Sequence, residues 1–169
     1  IANGVRQLIT NQEEIFNKAF FPTVQLVFAG SDSQGLRYGT VTTKEEFFVE
    51  WKAAQLPEGS LVAPGALLDR PLAEMCEKSR LLDLIRNFMI FDGGIKKVPR
   101  QHQFEGVKAS QLRLAMREGG VIWQTQGSGK SILMVLLAKW LLEHDPEARM
   151  LIITDRIELN DQIMGVMRN

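Results

Sequence analysis

Gly127-Ser128-Gly129-Lys130-Ser131 is a group of residues whose types and spacing suit chemistry on a phosphate chain. Such an anion needs converging backbone N–H donors, a fixed cation and a place for a metal. Glycines at 127 and 129 let the backbone from Thr125 through Ser131 curl around it, because they accept conformations closed to residues with a Cβ. A helix starting after the loop, Ser131 to about Glu143, points its N-terminal N–H groups and positive dipole end at the same place. Lys130 then reaches the β- and γ-phosphates, and the Ser131 hydroxyl is placed to ligate Mg²⁺. The cofactors implied are ATP and Mg²⁺, with Thr125, Gln126, Gly127, Ser128, Gly129, Lys130 and Ser131 as the binding stretch. The general pattern G-x-x-x-x-G-K-[ST] asks for glycine at position 124, where this chain has Gln124.

The elements around the loop must hold it. Gly120 to Trp123 has the composition of a short buried strand, and Met150 to Thr154 of a second. Strand, helix and strand within about thirty-five residues predict a βαβ unit, hence a parallel sheet with a right-handed crossover. Upstream, Gln103 to Arg117 is amphipathic through Phe104, Val107, Leu112, Ala115 and Met116, with Gly119 as its C-cap. The first part of the chain predicts a helix from Gly4 to Phe20 on Val5, Leu8, Ile15, Phe16 and Ala19. A strand from Thr23 to Ala29, a turn at Gly30 to Ser33 and a partner strand from Leu36 to Val41 follow. Thr43-Lys44-Glu45-Glu46 has the form of a capping box opening a helix with Phe47, Phe48 and Trp51. Pro57 to Gly65 is a linker by composition. Asp69 and Pro71 predict a helix start, Ser79 caps a second helical piece through Phe88, and the apolar run Phe88 to Phe91 ends at Asp92-Gly93-Gly94.

Other residues have plainer readings. Thr154-Asp155-Arg156 follows the second strand, on the side where ligands of open α/β sheets sit; an N-cap at Asp155 with a solvated Arg156 competes, and composition favours it. Gln103 reads as a surface glutamine, and Lys96, Lys97 and Arg100 as a solvated basic loop. Trp51, Trp123 and Trp140 fall in apolar patterns and are expected in the core, and Cys76 in a buried helix position. Neither His102 nor His144 has metal-ligand spacing.

The 169 residues carry 20 basic and 20 acidic side chains with 45% apolar content, so no whole-chain charge argues for nucleic acid. One cysteine excludes an internal disulfide and fits a reducing cytoplasm. The apolar run Ile132 to Leu142, interrupted by Lys139, is too short to span a bilayer. Without an initiator Met, and closing within a helical pattern, the chain reads as a piece of something longer.

GGVIWQTQGSGKSILMVLLAKWL followed by ARMLIITDRIELNDQI resembles helicase superfamily 2, in particular the R subunit of type I restriction-modification enzymes. There the first loop position is commonly His or another non-glycine residue, which Gln124 suits. IRNFMIFDGGIKKVPRQHQFEGVKA is similar to that family's lead-in to its motor. GVRQLITNQEEIFNKAFFPTVQLVFAGSDSQGLRYGTV is similar to the back end of its N-terminal nuclease domain. The resemblance implies an α/β fold in three stretches. These are residues 1–56 from a PD-(D/E)xK-type nuclease domain, 57–94 as linker and helical lead-in, and 95–169 as the start of a RecA-like P-loop parallel sheet.

The same resemblance implies roles. Lys130 and Ser131 would be the catalytic phosphate and Mg²⁺ residues, and Gln103 would read adenine. Thr154, Asp155 and Arg156 would lie on the DNA-tracking side. Gln7 would be the glutamine of the helix after the nuclease strand, although the family's tyrosine four residues on is Asn11 here. The parent would be an ATP-dependent double-stranded DNA translocase and endonuclease cleaving unmethylated foreign DNA, with methyltransferase and specificity subunits as partners. This stretch, without an acidic Walker B motif or a second motor lobe, would be inactive alone. Alternatives are another superfamily 2 helicase or remodeller, and a nucleotide-binding assembly module.

Overall fold

The computed structural model describes residues 1–13, 16–52, 66–154, 163–165 and 167. It is mixed α/β, and its sheets are antiparallel. Helix α1 (Ala2–Thr10) lies on a three-stranded sheet of β1 (Val27–Ser31), β2 (Gly35–Gly39) and β3 (Val49–Glu50), in the order β1-β2-β3. Helices α2 (Ala66–Met75) and α3 (Lys78–Asn87) follow. A hairpin of β4 (Ile90–Asp92) and β5 (Ile95–Lys97) leads into α4 (Gln101–Ala115), which packs on α5 (Lys130–His144). Among the described residues no helix is long and apolar enough to cross a membrane.

Two apolar clusters organise these elements. The smaller joins Val5 of α1 to Phe21, Val27, Ala29 and Phe48. The larger runs from Tyr38 and Trp51 through Phe88 and Phe104 to Leu133 and Leu136, crossing from the first sheet to α5. Its spine is aromatic, with centroids 5.9 Å apart for Tyr38–Trp51, 5.9 Å for Trp51–Phe104 and 4.7 Å for Phe88–Phe104. Such pairs add roughly 0.5–1.5 kcal/mol each beyond the area they bury. The Tyr38 hydroxyl, fully buried, donates to the Pro99 carbonyl at 2.8 Å.

The first sheet corrects two expectations. The helix foreseen from Gly4 to Phe20 ends at Thr10, where the Gln12 side-chain amide takes the Leu8 carbonyl at 3.1 Å and stops it. Phe16 and Ala19 are exposed, and Ile15 lies outside the described residues. The helix foreseen after Thr43 is instead a 3₁₀ turn (Glu45–Phe47) running into β3. Thr43 Oγ1 accepts the N–H of Thr40 at 2.9 Å and tightens the preceding turn rather than capping forward. Phe48 and Trp51 enter different clusters, which one helix face cannot do for residues three apart. The strand expected from Thr23 begins at Val27, after a 3₁₀ turn at Phe21–Thr23. Its turn falls at residues 32–34, so Gly30 and Ser31 stay in β1, and the partner strand is Gly35–Gly39 rather than Leu36 to Val41.

Further along, the linker from Pro57 to Gly65 lies outside the described residues. Helix α2 is already formed at Ala66, so Pro71 stands in its second turn rather than its first. The cap of α3 is Glu77, not Ser79: its carboxylate accepts the N–H groups of Ser79 (3.1 Å) and Arg80 (2.9 Å). Gly93 and Gly94, at φ +58° and +78°, make the two-residue turn that folds the apolar run and the basic patch into one hairpin. At the end of α4, Arg117 (φ +57°) takes the left-handed position expected of Gly119. Leu112 and Met116 are 68% and 58% exposed rather than packed.

The largest correction concerns the parallel sheet. Neither Val121–Trp123 nor Met150–Thr154 forms a strand, and no βαβ unit is present among the described residues. Val121, Trp123, Leu151 and Ile153 are 90%, 92%, 83% and 84% exposed. Parallel strands occur with both faces covered, and here no described element covers the outer face of either segment. Trp123 is therefore not a core residue. Trp140 is half-buried and stacked on His144 at 4.9 Å, and Cys76 is exposed beyond the end of α2.

Candidate functional site

The loop before α5 takes its shape from two left-handed glycines, Gly127 at φ +75° and Gly129 at φ +83°, the latter being the N-cap of α5. A helix starting this abruptly leaves its first-turn N–H groups without intrahelical acceptors. The helix itself agrees with the sequence expectation to within a residue at each end. Beside Gly127 nothing lies within 4 Å of where a Cβ would stand, whereas at Gly129 a Cβ would meet Gln103 Nε2 at 2.3 Å.

Gln103 is the residue that composition misjudged. It is 3% exposed, and its amide is engaged on both sides. Nε2 donates to the carbonyls of Ser128 (3.1 Å) and Gly129 (3.0 Å), while Oε1 accepts the Arg100 N–H at 2.8 Å. His102 Nε2 lies 2.8 Å from the Ser128 carbonyl, so that nitrogen carries a proton, a carbonyl oxygen being acceptor only. The first turn of α4 thus grips the loop through two consecutive side chains.

Gln124 holds the loop from the other side. Its Nε2 donates to the His102 carbonyl at 3.3 Å, and its Oε1 accepts the hydroxyl of the buried Ser128 at 3.2 Å. A glycine at 124 would remove both bonds. This role had no signal in the sequence beyond the departure from the general pattern.

Lys130 is exposed, and its ammonium group donates to the carbonyls of Thr125 (2.8 Å) and Gln124 (3.2 Å) across the mouth of the loop. Ser131 is half-buried at the second position of α5, and Thr125, Gln126 and Gly127 are exposed. Two left-handed glycines, a helix N-terminus, a lysine over the mouth and open space beside Gly127 together fit an extended phosphate chain, and the serine hydroxyl suits a hard cation.

A cleft of about 410 Å³ opens beside the loop, bounded by Gly127, Gly129 and Gln103 on one side and by Thr42 to Lys44 and Phe47 on the other, with the β5 residues between. The basic patch borders it, partly in other contacts: Lys96 Nζ donates to Gln25 Oε1 at 2.8 Å, and Lys97 is paired with Asp92. Burial pushes the Tyr38 phenol above its ordinary range, so it stays a neutral donor. Gln7 is exposed on α1, and Thr154 is half-buried beyond α5. Neither is among the described residues bordering the cleft, and Asp155 and Arg156 lie outside the described residues.

Comparison with known proteins adds to this geometry. The profile of the SWI2/SNF2 ATPase family matches residues 102–169. The HindI endonuclease subunit, a type I restriction enzyme of Haemophilus influenzae, is 32% identical over 149 residues, 79% of this chain and 14% of its own length. The putative type I restriction enzyme MjaIXP endonuclease subunit of Methanocaldococcus jannaschii is 27% identical over 163 residues, 80% of this chain and 16% of its own. The chain therefore spans about one seventh of the length of these relatives. No solved structure matches it.

Proposed function

This chain belongs to the family of type I restriction enzyme endonuclease subunits, and from that premise we propose that it carries the nucleotide-binding start of an ATP-driven double-stranded DNA translocase and the end of its nuclease. In this reading residues 1–56 are nuclease-derived, 57–94 connect, and 95–169 open the first RecA-like motor lobe. The parent enzyme translocates DNA, cleaves unmethylated foreign DNA, and works with methyltransferase and specificity subunits. The observation that carries the reading is the loop: left-handed glycines at 127 and 129, Lys130 across its mouth, and Gln103 buried against its carbonyls.

Bound Mg²⁺-ATP would supply the free energy of phosphoanhydride hydrolysis. The backbone of Thr125 to Ser131 would hold the phosphates, with Lys130 leaving its loop carbonyls to pair with them and the Ser131 hydroxyl facing Mg²⁺. Gln103 keeps the loop in shape and retains one Oε1 lone pair for the amino group of an adenine. Thr154, Asp155 and Arg156 would face DNA, and Gln7 would belong to the nuclease part. The SWI2/SNF2 match supports the motor half of the reading.

Lys130→Ala tests it in the full-length subunit. DNA-stimulated ATP hydrolysis should fall by about a hundredfold or more with the melting temperature unchanged, since Lys130 is exposed. Wild-type hydrolysis by this variant would sink the motor reading.

A further inference from the structure

We infer that the first sheet forms one wall of the nucleotide site, with the 3₁₀ turn at Glu45–Phe47 covering the nucleoside end of the ligand and Phe47 offering its ring to the base. The inference rests on the phosphate-loop reading above and extends it to a part of the chain read as nuclease. A chain of phosphates lying along Gly127 and Gly129 has its next atoms in the cleft that these glycines border, and about 410 Å³ accommodates a nucleoside.

The opposite wall comes from Thr42, Thr43, Lys44 and Phe47. Phe48 is 6% exposed and anchors the turn in the smaller cluster, while its neighbour Phe47 is 58% exposed and borders the cleft. The turn is therefore held by one phenylalanine and presents the other. An exposed ring facing a cleft with cationic side chains on its rim suits a flat heteroaromatic base attached to an anion.

The wall is not loosely apposed. The Lys52 N–H donates to Gln101 Oε1 at 2.8 Å, and Gln101 Nε2 donates back to the Lys52 carbonyl at 2.8 Å. Tyr38 is bonded to Pro99, and Lys96 to Gln25. Within residues 99 to 103, Pro99 binds Tyr38 of β2 and Gln101 binds Lys52 just past β3, while His102 and Gln103 bind the loop, so a single turn of chain ties the two sides of the cleft together.

The test compares binding of ATP and of inorganic tripolyphosphate by calorimetry, in the full-length subunit and in its Phe47→Ala, Phe47→Trp and Lys130→Ala variants. Phe47→Ala should weaken ATP about fivefold or more, leave tripolyphosphate unchanged, and be rescued by Phe47→Trp. If Phe47→Ala leaves ATP affinity unchanged, or weakens both probes alike, the wall is overturned, while loss of both probes in Lys130→Ala keeps the loop reading intact. If Lys130→Ala binds both probes as wild type does, the phosphate loop itself falls, and the wall with it.

Discussion

The amide nitrogen of Gln103 donates to the Gly129 carbonyl at 3.0 Å, and a Cβ on Gly129 would stand 2.3 Å from that same nitrogen. The glycine and the glutamine therefore require one another. The glycine is needed for its left-handed backbone and also because a side chain has no room there. The glutamine is buried because its amide has become part of the loop.

Gly129→Ala should cost stability twice, through about 1–2 kcal/mol of left-handed strain and through displacement of Gln103. Gln103→Ala relieves the crowding at Gly129, whose carbonyl keeps the N–H groups of Ile132 and Leu133, but orphans the Arg100 N–H, for about 1–3 kcal/mol. Thermal unfolding of the two single variants and the double variant checks this. Costs that simply add, with no coupling, would contradict the shared origin.

Gln124→Gly restores the general phosphate-loop pattern, yet it should destabilise this protein. The Ser128 hydroxyl loses its acceptor, and the His102 carbonyl in the first turn of α4 loses its side-chain donor, for about 1–2 kcal/mol in all. A melting temperature equal to or above that of the wild type would show that Gln124 is not holding the loop.

Tyr38→Phe keeps the ring contacts with Trp51 and removes the hydroxyl, leaving the buried Pro99 carbonyl unpaired. The expected cost is about 1–2 kcal/mol. Because Pro99 immediately precedes the turn that grips the loop, amide hydrogen exchange should also quicken at residues 127 to 129. Quicker exchange confined to the first sheet would dissociate the two.

Glu77 titrates from an ordinary value of 4.5 down to about 2, because the Ser79 hydroxyl and the N–H groups of Ser79 and Arg80 bond its carboxylate. A lowered folded-state value means that the cap stabilises fully above about pH 4.5 and is lost as pH falls toward 2. The melting temperature of Glu77→Ala should lie below that of the wild type at pH 7, and the gap should close between those limits. A gap that is flat down to pH 2 would assign the effect to something other than the carboxylate. The cap is solvent-exposed, so the gap should be small.

The start of α5, the loop glycines and the Lys130-Ser131 pair were legible in the sequence, because backbone freedom and helix initiation are local properties carried by residue type. The existence of the β1–β2 hairpin was legible for the same reason, its apolar strands being separated by a polar turn. Tertiary structure decided what local pattern cannot express. Residues 43 to 51 have the spacing of a capped helix, but two separate cores claim Phe48 and Trp51 and draw the chain out into β3. Apolar composition makes Val121–Trp123 and Met150–Thr154 look like strands, yet a strand exists only where another pairs with it, and here none does among the described residues. Gln103, 25 residues from its partner Ser128, has a sequence neighbourhood typical of the surface. Its burial follows from where α4 meets the loop, and that meeting is set by Tyr38, Gln101 and Phe104 packing the helix against the first sheet. Residue type was enough to mark the glycine-rich turn before α5, while long-range contacts decided what holds it.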